Sequence, residues 1–285
     1  MYKITEKKKL NDFVVKMEIE APLVARKARP GQFIILRVDE NSERIPLTIA
    51  GYDRNAGTVS IIFQIVGATT YSLSLKEAGD DICDFAGPLG NPTNTEDINS
   101  VCIVAGGVGT AIALPVAKEF YDIGTEVDTI VGFRTKELVI LEDEFRSCSN
   151  SFSIVTDDGS YGDKGNVTMC LKQKLESGKK YDIIITIGPL IMMKFVVLTA
   201  KPFDIPVSVS MNSIMIDGTG MCGGCRLTLL QNGKRITKFA CVDGPEFNGY
   251  EIDFDEAMNR SHFYSDFEKH AYDKACNLFG KGDNI

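Results

Sequence analysis

The stretch "SVCIVAGGVGTAIALPVAKEF", Ser100 to Phe120, decides the fold. It opens on a short apolar run without polar alternation, which reads as a strand covered on both faces, the kind found in parallel sheets. The run leads directly into glycines at 106, 107 and 109. The following "TAIALPVAKEFYDIG" has a helical pattern and stops at Gly124, a helix-ending signal. Strand, glycine turn and helix together open a βαβ unit. The backbone of Gly106, Gly107, Val108, Gly109 and Thr110 has room to approach a pyrophosphate, and the helix start favours its negative charge. The spacing departs from G-x-G-x-x-G, because Ile112 stands where the last glycine belongs. A tight strand-to-helix turn with no ligand is the competing reading.

Toward the C-terminus the alternation continues. "EVDTIVGFRT" reads as a strand, "ELVILEDEFRSC" as a helix, "FSIVTDDGSYG" as a strand, "NVTMCLKQKLESG" as a helix and "YDIIITIGPL" as a strand. This order predicts a parallel sheet over residues 98–210. In open α/β sheets, ligands bind outside the carboxyl ends of the strands. Those ends carry Arg134, Asp157 and Asp158, and the run from Gly188 and Pro189 to Met192. A carboxylate accepts hydrogen bonds from a ribose diol and repels a 2′-phosphate, so Asp157 and Asp158 point to NAD(H) over NADP(H). The plainer reading is that both cap a turn.

Toward the N-terminus, "GQFIILRV", "RIPLTIAGYD" and "TVSIIFQIVG" are short β-branched and aromatic runs bounded by Gly and Pro. They predict a small antiparallel barrel over residues 1–97, closed off by the turn-rich "FAGPLGNPTN".

The 285-residue chain carries a net charge of -8, which argues against nucleic acid as a partner. The N-terminus has lysines but no apolar stretch behind them, so it is not a signal peptide. The longest apolar run, "DIIITIGPLIMMKF", is too short to span a bilayer. A cytoplasmic protein away from the membrane is expected. Only two histidines occur, His262 and His270, which disfavours a histidine metal site or a Ser-His-Asp hydrolase.

Eight cysteines suit a reducing compartment better than a disulfide framework. Cys83, Cys102, Cys148, Cys170 and Cys276 are scattered, while Cys222, Cys225 and Cys241 form a group in "DGTGMCGGC" and "KFACVDG". The plant-type [2Fe–2S] spacing is C-x4-C-x2-C…C. Counting back from Cys222 places Asp217 at the first ligand position, which gives D-x4-C-x2-C-x15-C. The expected ligands are Asp217, Cys222, Cys225 and Cys241. Carboxylate oxygen is harder than thiolate, and ligand type tunes an iron site. A zinc knuckle with the same ligands stays open, as does a site whose fourth ligand is another group or water.

A barrel followed by a nucleotide domain with G-G-x-G-T and G-P-x-x-M-M resembles the ferredoxin–NADP reductase superfamily over residues 1–210. The resemblance implies FAD on the barrel. The family motif R-x-Y-[ST] falls on "RIPLT": Thr48 takes the hydroxyl position, Leu47 the aromatic position and Pro46 lies between, while Arg44 stands one residue early. "IFQIVGATT" resembles the second FAD segment and implicates Ile62, Phe63, Gln64, Gly67, Thr69 and Thr70. Where many relatives carry a cysteine before the "GP", Ile187 stands here.

With the cysteine segment included, the chain resembles the electron-transfer subunit of class B dihydroorotate dehydrogenase. Through "DGTGMCGGCR" and "FACVDGPEF" it resembles still more the small subunits of NADH-dependent reduced ferredoxin:NADP oxidoreductases. The resemblance implies a mixed fold: a β-barrel FAD domain (1–97), a Rossmann-like α/β NAD domain (98–210), a small [2Fe–2S] domain (211–248) and a C-terminal helical tail (249–285). It implies electron transfer among NAD(H), FAD and the cluster. It also implies a heterodimer or larger electron-bifurcating assembly with a bigger flavoprotein that bears [4Fe–4S] clusters and meets ferredoxin. Hydride transfer needs no acid or base, so no catalytic side chain is expected. A dihydroorotate dehydrogenase subunit and a zinc-stabilised nucleotide-binding regulatory module are the rival functions.

Overall fold

The computed structural model describes residues 1–262 and 267–273. The first unit comprises Tyr2–Lys9 (β1), Val14–Glu20 (β2), Pro22–Lys27 (α1), Phe33–Arg37 (β3), Ile45–Asp53 (β4), Thr58–Gln64 (β5), Ala68–Ser74 (α2), Asp81–Ile82 (β6) and Asp84–Leu89 (β7). Its antiparallel strands run β6-β1-β2-β5-β4-β3-β7. The outermost strands β6 and β7 are separated in sequence by Cys83 alone, so the sheet curls round and nearly closes into the expected barrel. Ile4, Met17, Ile34, Ile49, Ile61 and Phe63 fill its interior. The lysine-rich β1 hides from a hydrophobic pattern because Ile4 is its one buried residue.

The second unit comprises Ser100–Gly106 (β8), Gly109–Asp122 (α3), Glu126–Phe133 (β9), Glu142–Ser147 (α4), Ser151–Thr156 (β10), Asp163–Lys164 (β11), Val167–Glu176 (α5), Ile183–Ile187 (β12), Leu190–Ala200 (α6) and Val207–Ser210 (β13). All six strands are parallel, as the alternating pattern predicts. The helix expected from Glu137 to Cys148 is shorter, because Leu141 takes a left-handed backbone (φ 60°) that starts α4 afresh. The apolar run after Gly188 forms α6, which the sequence reading did not mark as a helix.

The third unit is a hairpin of Arg226–Gln231 (β14) and Lys234–Phe239 (β15), followed by Ala240–Asp243 (α7), Glu246–Asn248 (β16) and Phe254–Ser261 (α8). Asn232 and Gly233 both adopt positive φ, as a tight hairpin turn demands. β16 leaves this unit and pairs antiparallel with β13, giving the sheet order β11-β10-β9-β8-β12-β13-β16. Asp253 caps α8 by accepting a hydrogen bond from the Glu256 amide. Residues 267–273 are helical, and the rest of the expected tail, residues 263–266 and 274–285, lies outside the described residues. Among the described residues no helix is long and apolar enough to cross a membrane.

Candidate functional site

The chain winds from β8 out to β9 and β10 on one side, and to β12 and β13 on the other. The crevice at the carboxyl ends of β8 and β12 is therefore the topological switch point, where such sheets bind ligands. Gly106 ends β8 and Gly188 follows β12. The two turns interlock: a Cβ on Gly109 would lie 2.6 Å from the Ile187 carbonyl oxygen, and a Cβ on Gly106 would strike Met192 Sδ. Gly106 and Gly109 thus serve close packing. Gly107 differs. It adopts φ +56°, and nothing lies within 4 Å of where its Cβ would be. Its amide already donates to the Gly132 carbonyl (2.9 Å), so the room above it, not its N–H, is what a ligand can use. Thr110 is fully buried, and its Oγ1 has no hydrogen-bond partner among the described residues.

Arg134, Asp157 and Asp158 are exposed at the ends of β9 and β10. Asp158 Oδ1 accepts hydrogen bonds from Ser160 Oγ (2.6 Å) and the Ser160 amide (2.9 Å), which hold its carboxyl below the usual range. Asp158 does cap a turn, as the plainer reading has it, and it does so as an anion just past the carboxyl end of β10.

On the barrel, β4 alternates. Pro46 and Thr48 pair with Ile35 and Phe33 and share their outward face, toward the core that joins barrel, sheet and cluster segment. Leu47, at the position of the family's aromatic residue, pairs with Ile34 and packs against the barrel interior. Ile62 faces the core around α3, whereas the Phe63 side chain points into the barrel. Arg44 is exposed just ahead of β4. Thr70 Oγ1 accepts from the amides of Gly67 (3.0 Å) and Val66 (3.1 Å), closing the first turn of α2, and Gly67 borders open space.

In the cysteine segment, Cys225 and Cys241 are buried with their sulfurs 3.2 Å apart. Burial, then the neighbouring Cys225 thiol, pushes the Cys241 thiol up to about 12. Cys222 is exposed. Asp217 accepts from the Thr219 amide (2.7 Å) and hydroxyl (3.1 Å) through Oδ1, and from the Cys222 amide (3.2 Å) through Oδ2. These contacts, the Thr219 amide first, hold its carboxyl below the usual range. Among the described residues no three Cys, His, Asp or Glu side chains already converge as a metal-binding group. The segment instead presents two halves, a buried thiol pair and a carboxylate joined to the Cys222 backbone. Two adjoining buried thiols are a donor set suited to soft or borderline metals, iron among them. Gly218, Gly220 and Gly223 all adopt positive φ, so the loop needs its glycines.

Two contacts here carry no sequence signal. Arg260 Nη2 donates to the Gly224 carbonyl (3.3 Å), tying α8 to the loop. A Cβ on Gly218 would lie 2.6 Å from Leu89 Cδ1 and 3.0 Å from Ile35 Cδ1, so the loop backbone rests directly on the barrel.

Residues 212–253 match the iron–sulfur cluster binding domain of dihydroorotate dehydrogenase B. The chain is 45% identical over 280 residues to a dihydroorotate dehydrogenase B (NAD(+)) electron transfer subunit homolog from Thermotoga maritima, covering 98% of this chain and 97% of that protein. It is 34% identical over 251 residues to the dihydroorotate dehydrogenase B (NAD(+)) electron transfer subunit of Streptococcus pneumoniae serotype 4, covering 86% and 97%. The chain belongs to this electron-transfer subunit family. A solved structure of the NADH-dependent reduced ferredoxin–NADP oxidoreductase, a system of flavin-based electron bifurcation, is similar as well. It superposes with a TM-score of 0.89 at 43% identity over 96% of this chain and 97% of that one. As a family member the chain is an electron-transfer subunit of an oxidoreductase that has a larger partner subunit. Its barrel, its nucleotide sheet and its iron–sulfur domain are built for FAD, NAD(H) and an iron–sulfur cluster. The iron–sulfur match sets aside the zinc-stabilised regulatory module.

Proposed function

We propose that this subunit moves electrons between NAD(H), FAD and a [2Fe–2S] cluster and passes them to a larger flavoprotein, in an assembly of the electron-bifurcating NADH-dependent reduced ferredoxin:NADP oxidoreductase kind. One contact carries the proposal: Gly218, next to Asp217, sits on Ile35 of β3, and Ile35 pairs with Pro46 of the proposed flavin strand. Flavin supplies conversion between hydride and single-electron transfer, and the cluster supplies a one-electron carrier.

The protein's own residues would divide the work. Pro46, Thr48, Ile62, Gln64, Gly67, Thr69 and Thr70 hold FAD, with Arg44 at its pyrophosphate, while Leu47 and Phe63 support the strands from inside. Gly106 to Thr110 and Gly188, Pro189 and Met192 hold the dinucleotide, with Arg134, Asp157 and Asp158 at its adenosine end. Asp217, Cys222, Cys225 and Cys241 hold the cluster. The functional units are residues 1–97, 98–210 and 211–248, with 249–285 as a tail. The partner bears [4Fe–4S] clusters and meets ferredoxin. The seven cysteines among the described residues are all free, which suits the reducing cytoplasm.

The purified protein is expected to hold FAD and two irons per chain and to be bleached by NADH in the flavin band and then the cluster bands. Stoichiometric zinc without iron or sulfide, or the absence of flavin, would refute the proposal. The iron–sulfur family match favours a second reading, in which the partner oxidises dihydroorotate. The co-purifying subunit distinguishes the two: one reduces ferredoxin, the other is reduced by dihydroorotate.

A further inference from the structure

We infer that Gly218 is a positioning residue that fixes the separation between the flavin-bearing face of the barrel and the cluster loop. The inference deepens the proposed function and rests on it.

Gly218 follows Asp217 directly, at the start of the loop that carries three of the four proposed ligands. It has no side chain, and the barrel occupies the space one would need: Leu89 Cδ1 at 2.6 Å and Ile35 Cδ1 at 3.0 Å from an ideal Cβ. Ordinary van der Waals contact begins at 3.4 Å, so even a methyl group must push the loop outward or displace Leu89. Leu89 is only partly buried and meets the glycine with the end of its side chain, so it can give some way; Ile35 is held more firmly. Ile35 is 3% exposed within the shared core, and its strand is paired on both sides, with β4 and β7. Leu89 packs against the same core and pairs with Phe33.

The register shows why this contact matters for electron transfer. Phe33 and Ile35 pair with Thr48 and Pro46, the outward residues of β4. The cluster loop therefore touches the strand next to the proposed flavin strand, on the same face. Other glycines of the loop make no such contact. A Cβ on Gly220 would meet Val242 of its own segment, one on Gly224 would meet Ile214, Ile216 and Cys222, and one on Gly223 would meet nothing. Gly218 alone among these four touches the barrel. Electron transfer between fixed centres falls steeply with distance, so a displaced loop slows the flavin-to-cluster step and leaves hydride transfer from NADH to flavin untouched.

The test uses Gly218→Ala, Leu89→Ala and the double variant Gly218→Ala/Leu89→Ala in the full-length protein. FAD, iron and sulfide are assayed first in the wild type, because their absence there would refute the proposed function itself, and the present inference with it. Stopped-flow absorbance then separates flavin reduction by NADH from cluster reduction, and hydrogen exchange reports on residues 33–37 and 217–222. In Gly218→Ala, flavin reduction should keep its rate, cluster reduction should slow several-fold and exchange should rise in both segments. Leu89→Ala clears the space, so the double variant should regain most of the rate and protection. If Gly218→Ala loses iron, recovery of iron in the double variant supports the inference equally. A wild-type cluster-reduction rate in Gly218→Ala overturns it. So does a defect in rate or iron that Leu89→Ala leaves unrepaired, because the glycine would then serve only its own positive φ.

Discussion

Cys225 and Cys241 lie sulfur to sulfur at 3.2 Å, both almost wholly buried, although fifteen residues and a β-hairpin separate them in sequence. The hairpin returns the chain to its start: the Ala240 amide donates to the Cys225 carbonyl (3.1 Å). Half of the proposed ligand set is thus held by the fold itself.

This asymmetry predicts the order of thiol reactivity. In protein freed of metal under reducing conditions, iodoacetamide should modify exposed Cys222 well before Cys225 or Cys241. Peptide mass spectrometry over time checks it, and equal labelling of all three would contradict the burial. Cys225→Ser or Cys241→Ser should abolish iron retention.

Asp217 is expected to complete the set. Asp217→Cys should hold a cluster with an altered potential and EPR spectrum, since thiolate donates more electron density than carboxylate. Asp217→Ala should lower iron content and electron transfer to a one-electron acceptor, while NADH still reduces the flavin. An Asp217→Ala protein with unchanged iron, EPR spectrum and electron transfer would make the carboxylate a bystander that only orders the Thr219–Cys222 turn.

NADH should reduce the flavin faster than NADPH at equal concentration, because Asp158 stays ionised at the carboxyl end of β10, the proposed adenosine end. Asp158→Ser should narrow the ratio, and Asp157→Ser should add to the effect. Faster reduction of the wild type by NADPH would refute the assignment.

The glycines of the switch-point turns should separate into two kinds. Gly109→Ala forces a methyl onto the Ile187 carbonyl, and overpacking of this sort costs about 1–3 kcal/mol, visible as a lower thermal midpoint. Gly107→Ala meets no atom, so its main structural cost is the positive φ, about 1–2 kcal/mol. Gly107→Ala should weaken NADH binding by more than its loss of stability suggests, as measured by titration of the flavin spectrum. Unchanged affinity would show that the open space above Gly107 is not used.

Stability should respond to pH through Glu246. Burial pushes its carboxyl up, only partly offset by hydrogen bonds from Thr93 Oγ1 and Ser208 Oγ. The folded state then holds this proton more tightly than the unfolded chain, so stability falls as pH rises from the ordinary glutamate value near 4.5 to the raised folded value, and is level above it. Glu246→Gln removes this contribution. Its thermal midpoint should decline less than the wild type's between pH 4.5 and pH 7, and parallel curves would exclude Glu246 as the cause.

Some of these features are legible in the sequence because local chemistry sets them. Gly106, Gly107 and Gly109 mark a strand-to-helix turn, two of them packed too closely for a Cβ and one at positive φ, and the Cys222–Cys225 spacing survives any reading of the fold. Thr48 is matched by motif alone, and its face of β4 follows from its pairing with Phe33. The motif does not tell which way Leu47 faces; adjacent strand residues face opposite ways, and Ile34 opposite it belongs to the barrel interior. The Gly218 contact with Leu89 was hidden because it joins residues 129 positions apart and needs only the lack of a side chain. The roles of Glu246 and Arg260 are hidden for a similar reason, since their partners lie on other elements, even though Glu246 stands within "FACVDGPEF".

β16 lies beyond the cluster segment in the chain, yet it covers the β13 edge of the nucleotide sheet. During synthesis that sheet cannot be completed until residue 248 has left the ribosome, so the cluster loop is already present when the nucleotide domain closes. A fragment ending at residue 210 leaves the backbone of β13 bare, an invitation to pair with another chain. The nucleotide sheet is completed only by chain that lies beyond the cysteines, so neither part can be cut from the other without exposing a strand edge.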